Sequence, residues 1–384
     1  MTEKTNIPQG YKDSPLGIIP KEWEVKRLGE ICTHFKSGTT ITAKEITEEG
    51  LYPVYGGNGL RGYSNTYTHN GDYILIGRQG ALCGNINFVC GKSYISEHAI
   101  AVQTDEDMRW LRYKLENWNL NRFSESSAQP GLSVEKLVRY KLTVPTLNEQ
   151  IGIATILQLW DTAIEKQSEL IEKLKLRKRA LMQQLLTGKK RLPGFCGEWK
   201  EVKLGDVFDE RNETNRDDLP LLSITGDKGV IYQSDSDKRD ISNDDKSKYK
   251  RICPNDIGYN TMRMWQGRSA LSELEGIVSP AYTIVTPRES VNVKFMSMLI
   301  QQPRVVYGFW THSQGLVSDT LNCKYPDFCQ VKVRIPTKQE QTAIASVLVQ
   351  ADKEIELANE ILANLKSQKR GLMQQLLTGK NRII

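Results

Sequence analysis

Two regions of the chain combine arginine, glutamine or asparagine with aromatic residues and glycine. In the first half, residues 55–63 read YGGNGLRGY and residues 77–81 read GRQGA. In the second half, residues 259–268 read YNTMRMWQGR. Arginine, glutamine and asparagine can make paired hydrogen bonds to guanine and adenine edges, and aromatic rings pack on sugars and thymine methyl groups. These residue types therefore favour contacts with DNA bases.

A later polar pattern also occurs in both halves. Residues 126–133 read SSAQPGLS, and residues 312–318 read HSQGLVS. In the alternative interpretation, Arg78 and Arg263 form ion pairs within the protein and the glycines form turns. Because the patterns occupy matching places in the two halves, we favour base contacts. The predicted DNA-binding residues are Arg61, Tyr63, Arg78, Gln79, Gln129, Asn260, Arg263, Trp265, Arg268 and Gln314.

The sequence contains no recognisable enzyme motif. The glycine–lysine pairs at Gly188 and Gly379 lack the upstream glycine of a phosphate-binding loop, and the glycines at 56–59 lack dinucleotide-site spacing. Neither a GxSxG elbow nor an HExxH zinc motif is present. Glu97 and His98 are neighbours, but a strand-borne histidine satisfied by the core is the favoured interpretation. We therefore expect no catalytic residues.

Composition narrows the class of protein. The chain has 384 residues, 39% hydrophobic and 26% charged, which suits two domains with separate cores. No stretch reaches the roughly 18 apolar residues of a membrane span, and the first residues lack the apolar run of a signal peptide. Seven scattered cysteines and four separate histidines predict a reduced, cytoplasmic protein without a metal site. The net charge of +6 permits nucleic-acid binding without requiring it.

An internal repeat organises the chain. Residues 144–191 and 335–382 align without a gap at an offset of 191, with about half of the positions identical. A weaker match relates EWEVKRLG, which begins at Glu22, to EWKEVKLG, which begins at Glu198. Between these matches the halves share little, so one scaffold carries two different inserts. We predict globular domains at 1–144 and 191–335, and long helices at 145–190 and 336–384.

The repeated segment has helix signals at both ends. Thr146 and Thr337 each precede a glutamate by three residues, the spacing of an N-terminal capping box. Gly188 and Gly379, each followed by lysine, are typical of helix C-termini. About 40 residues at 1.5 Å each predict a rod of roughly 60 Å.

Apolar residues in the repeat recur at alternating spacings of four and three, the period of a coiled coil. Lys178 and Lys369 interrupt this seam, either with their ammonium groups in water or where pairing ends. Two separate amphipathic helices are the alternative, but ten seam positions kept at one offset favour mutual pairing. The apolar seam residues are Ile153, Leu157, Trp160, Ile164, Ile171, Leu174, Leu181, Leu185, Ile344, Leu348, Ile355, Leu362, Leu365, Leu372 and Leu376.

The two globular parts have the patterns of a mixed α/β (α+β) fold. Short apolar runs bounded by polar residues predict strands, and amphipathic runs predict short helices. The predicted strands are 73–77, 95–102, 221–224, 277–286 and 331–335, and the predicted helices are 110–118 and 293–302.

The chain resembles the DNA-specificity subunits of Type I restriction–modification systems over almost its whole length. The resemblance rests on EWEVKRLGEI near the start, on YPVYGGNGLRGY, GDYILIGRQGALCG and SSAQPGLSVEKL in the first half, and on NTMRMWQGRSALSELEGIVSPAYTIV in the second. Its most specific part is the pair of PTxxEQ helices that end in LMQQLLTGK.

The resemblance implies two tandem target-recognition domains, each reading one half of a bipartite target in double-stranded DNA. It implies that the long helices pair as an antiparallel coiled-coil spacer, and that the chain binds no cofactor and catalyses no reaction. The implied partners are two modification (methyltransferase) subunits and two restriction subunits, which carry S-adenosylmethionine, ATP and Mg²⁺. The alternatives are a methylation-only or Type IIB-like system, an unfamiliar nuclease or methyltransferase, and a coiled-coil scaffold that does not bind DNA.

Overall fold

The structure, a computed structural model, describes residues 7–80, 82–124, 131–226, 228–236, 245–315 and 321–383. The chain forms two compact units: unit 1 comprises residues 1–168 and 360–384, and unit 2 comprises residues 169–359. Each unit therefore contains one globular part and a segment of each long helix. The four-segment division at 144, 190 and 335 follows the sequence repeat and stays a prediction.

Unit 1 is built on two four-stranded sheets. Its helices are α1 (Met108–Asn117), α2 (Val134–Leu137), the first part of α3 (Leu147–Leu185) and the last part of α7 (Lys338–Leu376). Its strands are β1 (Tyr11–Lys12), β2 (Ile19–Pro20), β3 (Glu24–Arg27), β4 (Cys32–Ser37), β5 (Tyr52–Gly56), β6 (Gly59–Ser64), β7 (His69–Asn70), β8 (Tyr73–Gly77), β9 (Ile86–Val89), β10 (Lys92–Ile95), β11 (Ala99–Thr104) and β12 (Lys141–Val144). One sheet is antiparallel with the order β4-β11-β8-β9, and the other has the order β6-β5-β10-β7 with a parallel β5–β10 pair.

Strand β8 is buried along its whole length because both faces of its sheet are covered. Successive side chains of a strand point to opposite faces. Ile74 and Ile76 therefore join the main core, which includes Trp110 of α1, whereas Leu75 joins a second cluster with Ile95. Because both faces of the strand are buried, its sequence is the uninterrupted apolar run YILIG rather than an alternation of apolar and polar residues.

Unit 2 repeats the antiparallel sheet with different residues. Its helices are α4 (Val293–Leu299), α5 (Pro303–His312), α6 (Tyr325–Gln330), the rest of α3 and the first part of α7 (Lys338–Leu376). Its strands are β13 (Lys200–Lys203), β14 (Phe208–Arg211), β15 (Leu222–Ile224), β16 (Val230–Tyr232), β17 (Lys250–Ile252), β18 (Ile257–Asn260), β19 (Ser269–Leu271), β20 (Gly276–Val278), β21 (Tyr282–Pro287) and β22 (Lys332–Ile335). The order β14-β21-β18-β19 matches β4-β11-β8-β9 strand for strand.

Two of the predicted strands are each divided by a turn. The predicted strand at 277–286 breaks around Pro280, which has no N–H to donate to a sheet. The predicted strand at 95–102 breaks between Ile95 and Ala99, and the interpretation of His98 as a core residue is wrong. Its side chain lies on the turn, 43% exposed, with Nε2 3.3 Å from a Glu97 carboxylate oxygen. A polar Ser-Glu-His run cannot continue a buried strand without leaving charged groups in the core.

Both long helices have 39 residues and end three residues before the predicted glycines. Gly188 and Gly379 adopt the left-handed backbone that ends a helix, with φ of 71° and 74°. A Cβ at Gly188 would lie 3.3 Å from the Trp199 ring, and one at Gly379 would lie 2.7 Å from Pro20. Glycine is therefore required by both conformation and packing. Within the described ranges, no helix combines the length and apolar character of a membrane crossing.

The capping-box interpretation is wrong for the two glutamates. In unit 1 the buried Glu149 carboxylate accepts hydrogen bonds from Arg382 at 3.1 and 3.2 Å and from the Trp23 indole at 2.8 Å. In unit 2 the buried Glu340 carboxylate accepts two from Arg191 at 2.6 Å. Each arginine follows the end of one long helix and each glutamate begins the other. Leaving a buried carboxylate without a cation costs more free energy than leaving a helix N-terminus without its side-chain cap.

The glutamine after each glutamate fastens the globular part to its helix. In unit 1 the Gln150 side chain accepts the backbone N–H of Asp107, the N-cap of α1, at 2.9 Å. In unit 2 the Gln341 side chain accepts the backbone N–H of Asn292, the N-cap of α4, at 2.8 Å. In each repeat the glutamate of the EQ pair therefore binds the arginine beyond the other long helix, and the glutamine attaches the globular part to its own helix.

The predicted seam residues face inward in both units. None of the fifteen is exposed, and seven are buried: Ile153, Leu157, Ile171, Leu185, Ile344, Leu348 and Leu376. Apolar helix residues outside the seam, such as Leu159 and Leu357, are 65% and 57% exposed. The period of the sequence, rather than hydrophobicity alone, therefore selects the packed face.

The seam lysines cross the helix pair and meet aspartates. In unit 2 the Lys178 ammonium donates to Asp352, and in unit 1 the Lys369 ammonium donates to Asp161. The two aspartates are 191 positions apart, as are the two lysines. In unit 1, moving along α3 from Glu149 to Asp161 changes the partner from Arg382 back to Lys369, so the two segments run antiparallel. In unit 2, moving from Lys178 to Arg191 likewise changes the partner from Asp352 back to Glu340.

Exchanging the charges of Lys178 and Asp352 tests whether this pair fixes the alignment of the helices. Asp352→Lys and Lys178→Asp each place like charges across the seam, so each should lower the free energy of unfolding by about 1 kcal/mol. The double exchange should recover most of the loss. Urea unfolding midpoints measure the effect, and a double variant no more stable than its weaker parent contradicts the assignment.

Candidate nucleic-acid interface

The same loop follows the central strand of the antiparallel sheet in both units. These loops are residues 78–80 and 82–85 after β8 and residues 261–268 after β18, and we call them the reading loops because they carry predicted DNA-binding residues. The Leu132 N–H donates to the Arg78 carbonyl at 2.9 Å, and the Cys323 N–H donates to the Thr261 carbonyl at 2.9 Å. Leu132 and Cys323 are also 191 positions apart. The hydrogen bond that holds each reading loop is therefore made from equivalent positions in the two halves of the repeat.

In unit 1 the turn between β5 and β6 packs against the reading loop. A Cβ at Gly57 would lie 2.8 Å from the His98 carbonyl, and one at Gly77 would lie 2.5 Å from the Gly57 carbonyl. The Arg78 N–H donates to the same His98 carbonyl at 2.9 Å. The two glycine-containing stretches of the sequence therefore meet in space, and their glycines allow backbone to touch backbone.

His98 joins this surface, although it was not among the predicted site residues. Its Nδ1 is 3.1 Å from the Gln79 amide oxygen, and its Nε2 faces Glu97. The ring thereby fixes the side chain of a predicted DNA-binding residue. The signal that could have found it is a polar Ser-Glu-His run between two apolar strands.

In unit 2 a cleft of about 780 Å³ gathers three predicted residues: Asn260, Arg263 and Arg268. Its other lining residues include Gln266, Tyr282 and Gln301, which the sequence analysis did not select. Burial raises the pKa of the Tyr282 hydroxyl, which donates to the Ile224 carbonyl at 3.3 Å. The cleft combines guanidinium, amide and phenol groups, the donors and acceptors that base edges require.

Other predicted residues lie elsewhere or are held by their own unit. The Trp265 indole N–H donates to the Met262 carbonyl at 3.0 Å, and the Gln314 amide donates to Asp327 at 3.0 Å. Neither of these side chains lines the cleft. Tyr63 is half-buried on β6, and Gln129 lies outside the described residues.

The arginines of the predicted sites differ from the structural arginines of unit 2. Arg211, for example, is held by Asp256, and Arg251 is held by Glu213. Within the described ranges, no ion pair or hydrogen bond engages the guanidinium groups of Arg61, Arg78, Arg263 and Arg268. The internal ion pairs of the alternative interpretation are thus not made, and these groups are available to a ligand.

Two observations on the described residues concern metal binding and buried thiols. No cluster of three histidine, cysteine or acidic side chains there could hold a metal ion. Burial raises the pKa of Cys32 and Cys323 to about 12, so both thiols stay protonated at neutral pH.

Comparisons with known proteins agree with these features. Residues 20–176 match the family model of the Type I restriction modification DNA specificity domain. The Type I restriction enzyme EcoprrI specificity subunit of Escherichia coli is 44% identical over 160 residues, covering 40% of each chain. The MjaVIII specificity subunit of Methanocaldococcus jannaschii is 24% identical over 95% of this chain and 94% of the relative.

Solved structures share the fold across the whole chain. The S subunit of a Type I system from M. genitalium superposes with a TM-score of 0.58 at 14% identity, covering 98% of this chain and 99% of that one. The HsdS subunit of Thermoanaerobacter tengcongensis gives 0.52 at 15% identity, with 96% and 100% coverage. Residues 20–176 therefore carry the match to the Type I restriction modification DNA specificity domain, and the chain as a whole shares the fold of these two solved subunits.

Replacing Gly77 with alanine tests the packing of the unit 1 surface. The new Cβ would meet the backbone carbonyls of Gly57 and Leu82 at 2.5 and 2.8 Å. We expect Gly77→Ala to lower the free energy of unfolding by about 1–3 kcal/mol, measured by urea denaturation. Gly197→Ala is the control, since no atom lies within 4 Å of its Cβ position. Equal stability of the two variants would show that the turn is not packed as described.

Proposed function

We propose that this chain is the non-catalytic, sequence-reading subunit of its restriction–modification complex, and that each unit reads one half of a bipartite DNA target. The observation that carries the proposal is a contrast within the repeat. The two units share a sheet order, a reading-loop contact and a helix pair at one offset, yet differ in the side chains of their reading loops. A repeated frame with two different readers suits a target whose halves differ.

In unit 2 we assign base contacts to the cleft side chains. Arg263 and Arg268 are the groups that suit the paired acceptors of guanine. The Asn260 amide, whose Oδ1 also accepts the Met262 N–H at 2.9 Å, suits adenine. In unit 1 the corresponding groups are Arg78 and the Gln79 side chain that His98 orients. Because no acidic side chain among the described residues forms an ion pair with these arginines, binding DNA does not first require breaking one.

The outer faces of the long helices support docking of two modification subunits. Leu170 in unit 2 and Ile361 in unit 1 are 191 positions apart and are 45% and 42% exposed. Two equivalent apolar positions favour two copies of one partner. Two restriction subunits complete the proposed complex, and S-adenosylmethionine, ATP and Mg²⁺ belong to the partners in this proposal.

Arg263→Ala tests the reading assignment in unit 2. Loss of one base contact should cost about 1–3 kcal/mol and relax sequence preference in one half-site, leaving the other half-site intact. Methylome sequencing of cells that carry the variant with its modification subunit gives the result. Arg288→Ala is the matched control, because Asp209 holds that guanidinium outside the cleft.

Unchanged preference in both half-sites would refute the assignment of Arg263. Duplex binding by the wild-type complex should also weaken steeply with salt, as phosphate contacts require. Binding that is absent at all salt concentrations would instead favour a scaffold that does not touch DNA.

Matched insertions test whether the helices set the distance between the half-sites. Seven residues after Ser168 and seven after Asn359 preserve the seam period and leave the pairs inside each unit intact. The insertion lengthens each helix by about 10 Å, so we expect the gap in the methylated target to grow by about three base pairs. Both half-sequences should remain unchanged. A constant gap would show that the helices are not the spacer.

A further inference from the structure

Unit 1 contains a cavity of about 1050 Å³ whose lining includes no reading-loop residue. Its walls come from five segments: the N-terminal strands, the end of α1, the turn at 120–123, β12 and the residues after α7. This volume is at the upper end of the range for small-molecule sites. The proposed reading of DNA gives the cavity no role.

Three aromatic rings form one side of the cavity. The centroids of Phe123 and Tyr140 are 4.3 Å apart, and those of Trp118 and Phe123 are 6.2 Å apart. Leu16 and Ile18, which also line the cavity, are exposed apolar residues. Clustered aromatic rings beside open apolar surface favour a planar aromatic ligand.

The charge of the cavity has one sign. Its lining includes Lys114, Arg122, Lys141 and Lys380. Among the described residues, no acidic side chain lines the cavity. The Arg122 guanidinium lies 4.6 Å from the Phe123 ring centroid, so cationic and aromatic groups are interleaved. Such a lining favours a ligand that has both a negative charge and an aromatic ring.

Lys114 is the buried member of this set, only 5% exposed. Its ammonium donates to the Thr143 hydroxyl at 2.8 Å and to the Leu377 carbonyl at 2.6 Å. These are neutral acceptors, and no carboxylate of the described residues forms an ion pair with this ammonium. Burial lowers the pKa of Lys114 to about 7, which reflects the missing countercharge. An anion in the cavity would supply it.

Unit 2 shows that the fold does not require this lysine. Lys114 lies seven residues after the helix cap Asp107, and Leu299 lies seven residues after the equivalent cap Asn292. The cavity that Leu299 lines in unit 2 measures about 440 Å³ and includes two glutamates, Glu198 and Glu201. A large, purely cationic cavity is thus a feature of unit 1 rather than of the repeat.

We propose that this cavity binds a small anionic molecule with a planar aromatic ring, and that nucleoside phosphates are the class that fits. The ring would pack against Phe123 and Tyr140, and the anionic group would lie near Lys114 and the lysines at the rim. This places a ligand site on the specificity subunit itself, separate from the reading loops.

Isothermal titration calorimetry of the full chain with AMP tests the proposal, with adenosine and inorganic phosphate as separate arms. We expect saturable one-to-one binding of AMP, at least tenfold tighter than either fragment. Lys114→Leu, which copies unit 2, should weaken AMP binding at least tenfold, and Arg122→Ala, at an exposed position, should weaken it severalfold. Lys332→Ala is the control, because Lys332 is the counterpart of Lys141 in unit 2.

Proton uptake provides an independent readout. Anion binding should raise the pKa of Lys114, so AMP affinity should fall as the pH rises from about 7 to 9, and Lys114→Leu should remove that dependence. The other titratable groups that line the cavity are Tyr11, Arg122, Tyr140, Lys141 and Lys380. Absence of saturable AMP binding at millimolar concentration, equal affinity for phosphate alone, or unchanged affinity in Lys114→Leu would each overturn the proposal.

Discussion

A buried carboxylate at the start of each long helix depends on an arginine from beyond the end of the other helix. Glu149 and Arg382 form this pair in unit 1, and Glu340 and Arg191 form it in unit 2. Removing either arginine would leave a buried carboxylate without its cation, which costs more than the pair itself contributes. The pair therefore favours the antiparallel alignment that brings these residues together. The seam, the lysine–aspartate contacts and the domain attachment through Gln150 and Gln341 all follow that alignment.

The two units show how a constant frame carries variable surfaces. Their antiparallel sheets have the same strand order, although the strands share little sequence. Backbone hydrogen bonds and a buried apolar interior can be kept by many sequences, whereas base contacts depend on particular side chains. Reading loops placed after the central strand can therefore change without disturbing the helix pair. This separation explains why similarity within the chain is concentrated in the helices.

Residues of the same type in the sequence differ in the structure in whether their side chains are already held by a partner. Arg263 and Arg268 line a cleft and have no partner among the described residues, whereas Arg251 is held by Glu213 and Glu275. Trp265 lies in the same stretch as Arg263, yet its indole is bound to its own loop. Composition alone cannot separate these cases, because availability depends on which acidic or carbonyl groups are brought near by the fold.

The repeat, the two long helices, their terminal glycines and the face that each helix buries could all be predicted from the amino-acid sequence. These features depend on residues within a few turns of one another, and helical periodicity is a local property. The partners of the buried charges could not be predicted, because they come together only in the folded chain: Glu149 meets Arg382 across 233 positions, and Lys369 meets Asp161 across 208. The same holds for the place of His98 and the cavity around Lys114. Such contacts join distant segments, and the energy that selects them is the cost of leaving a polar group buried without a partner.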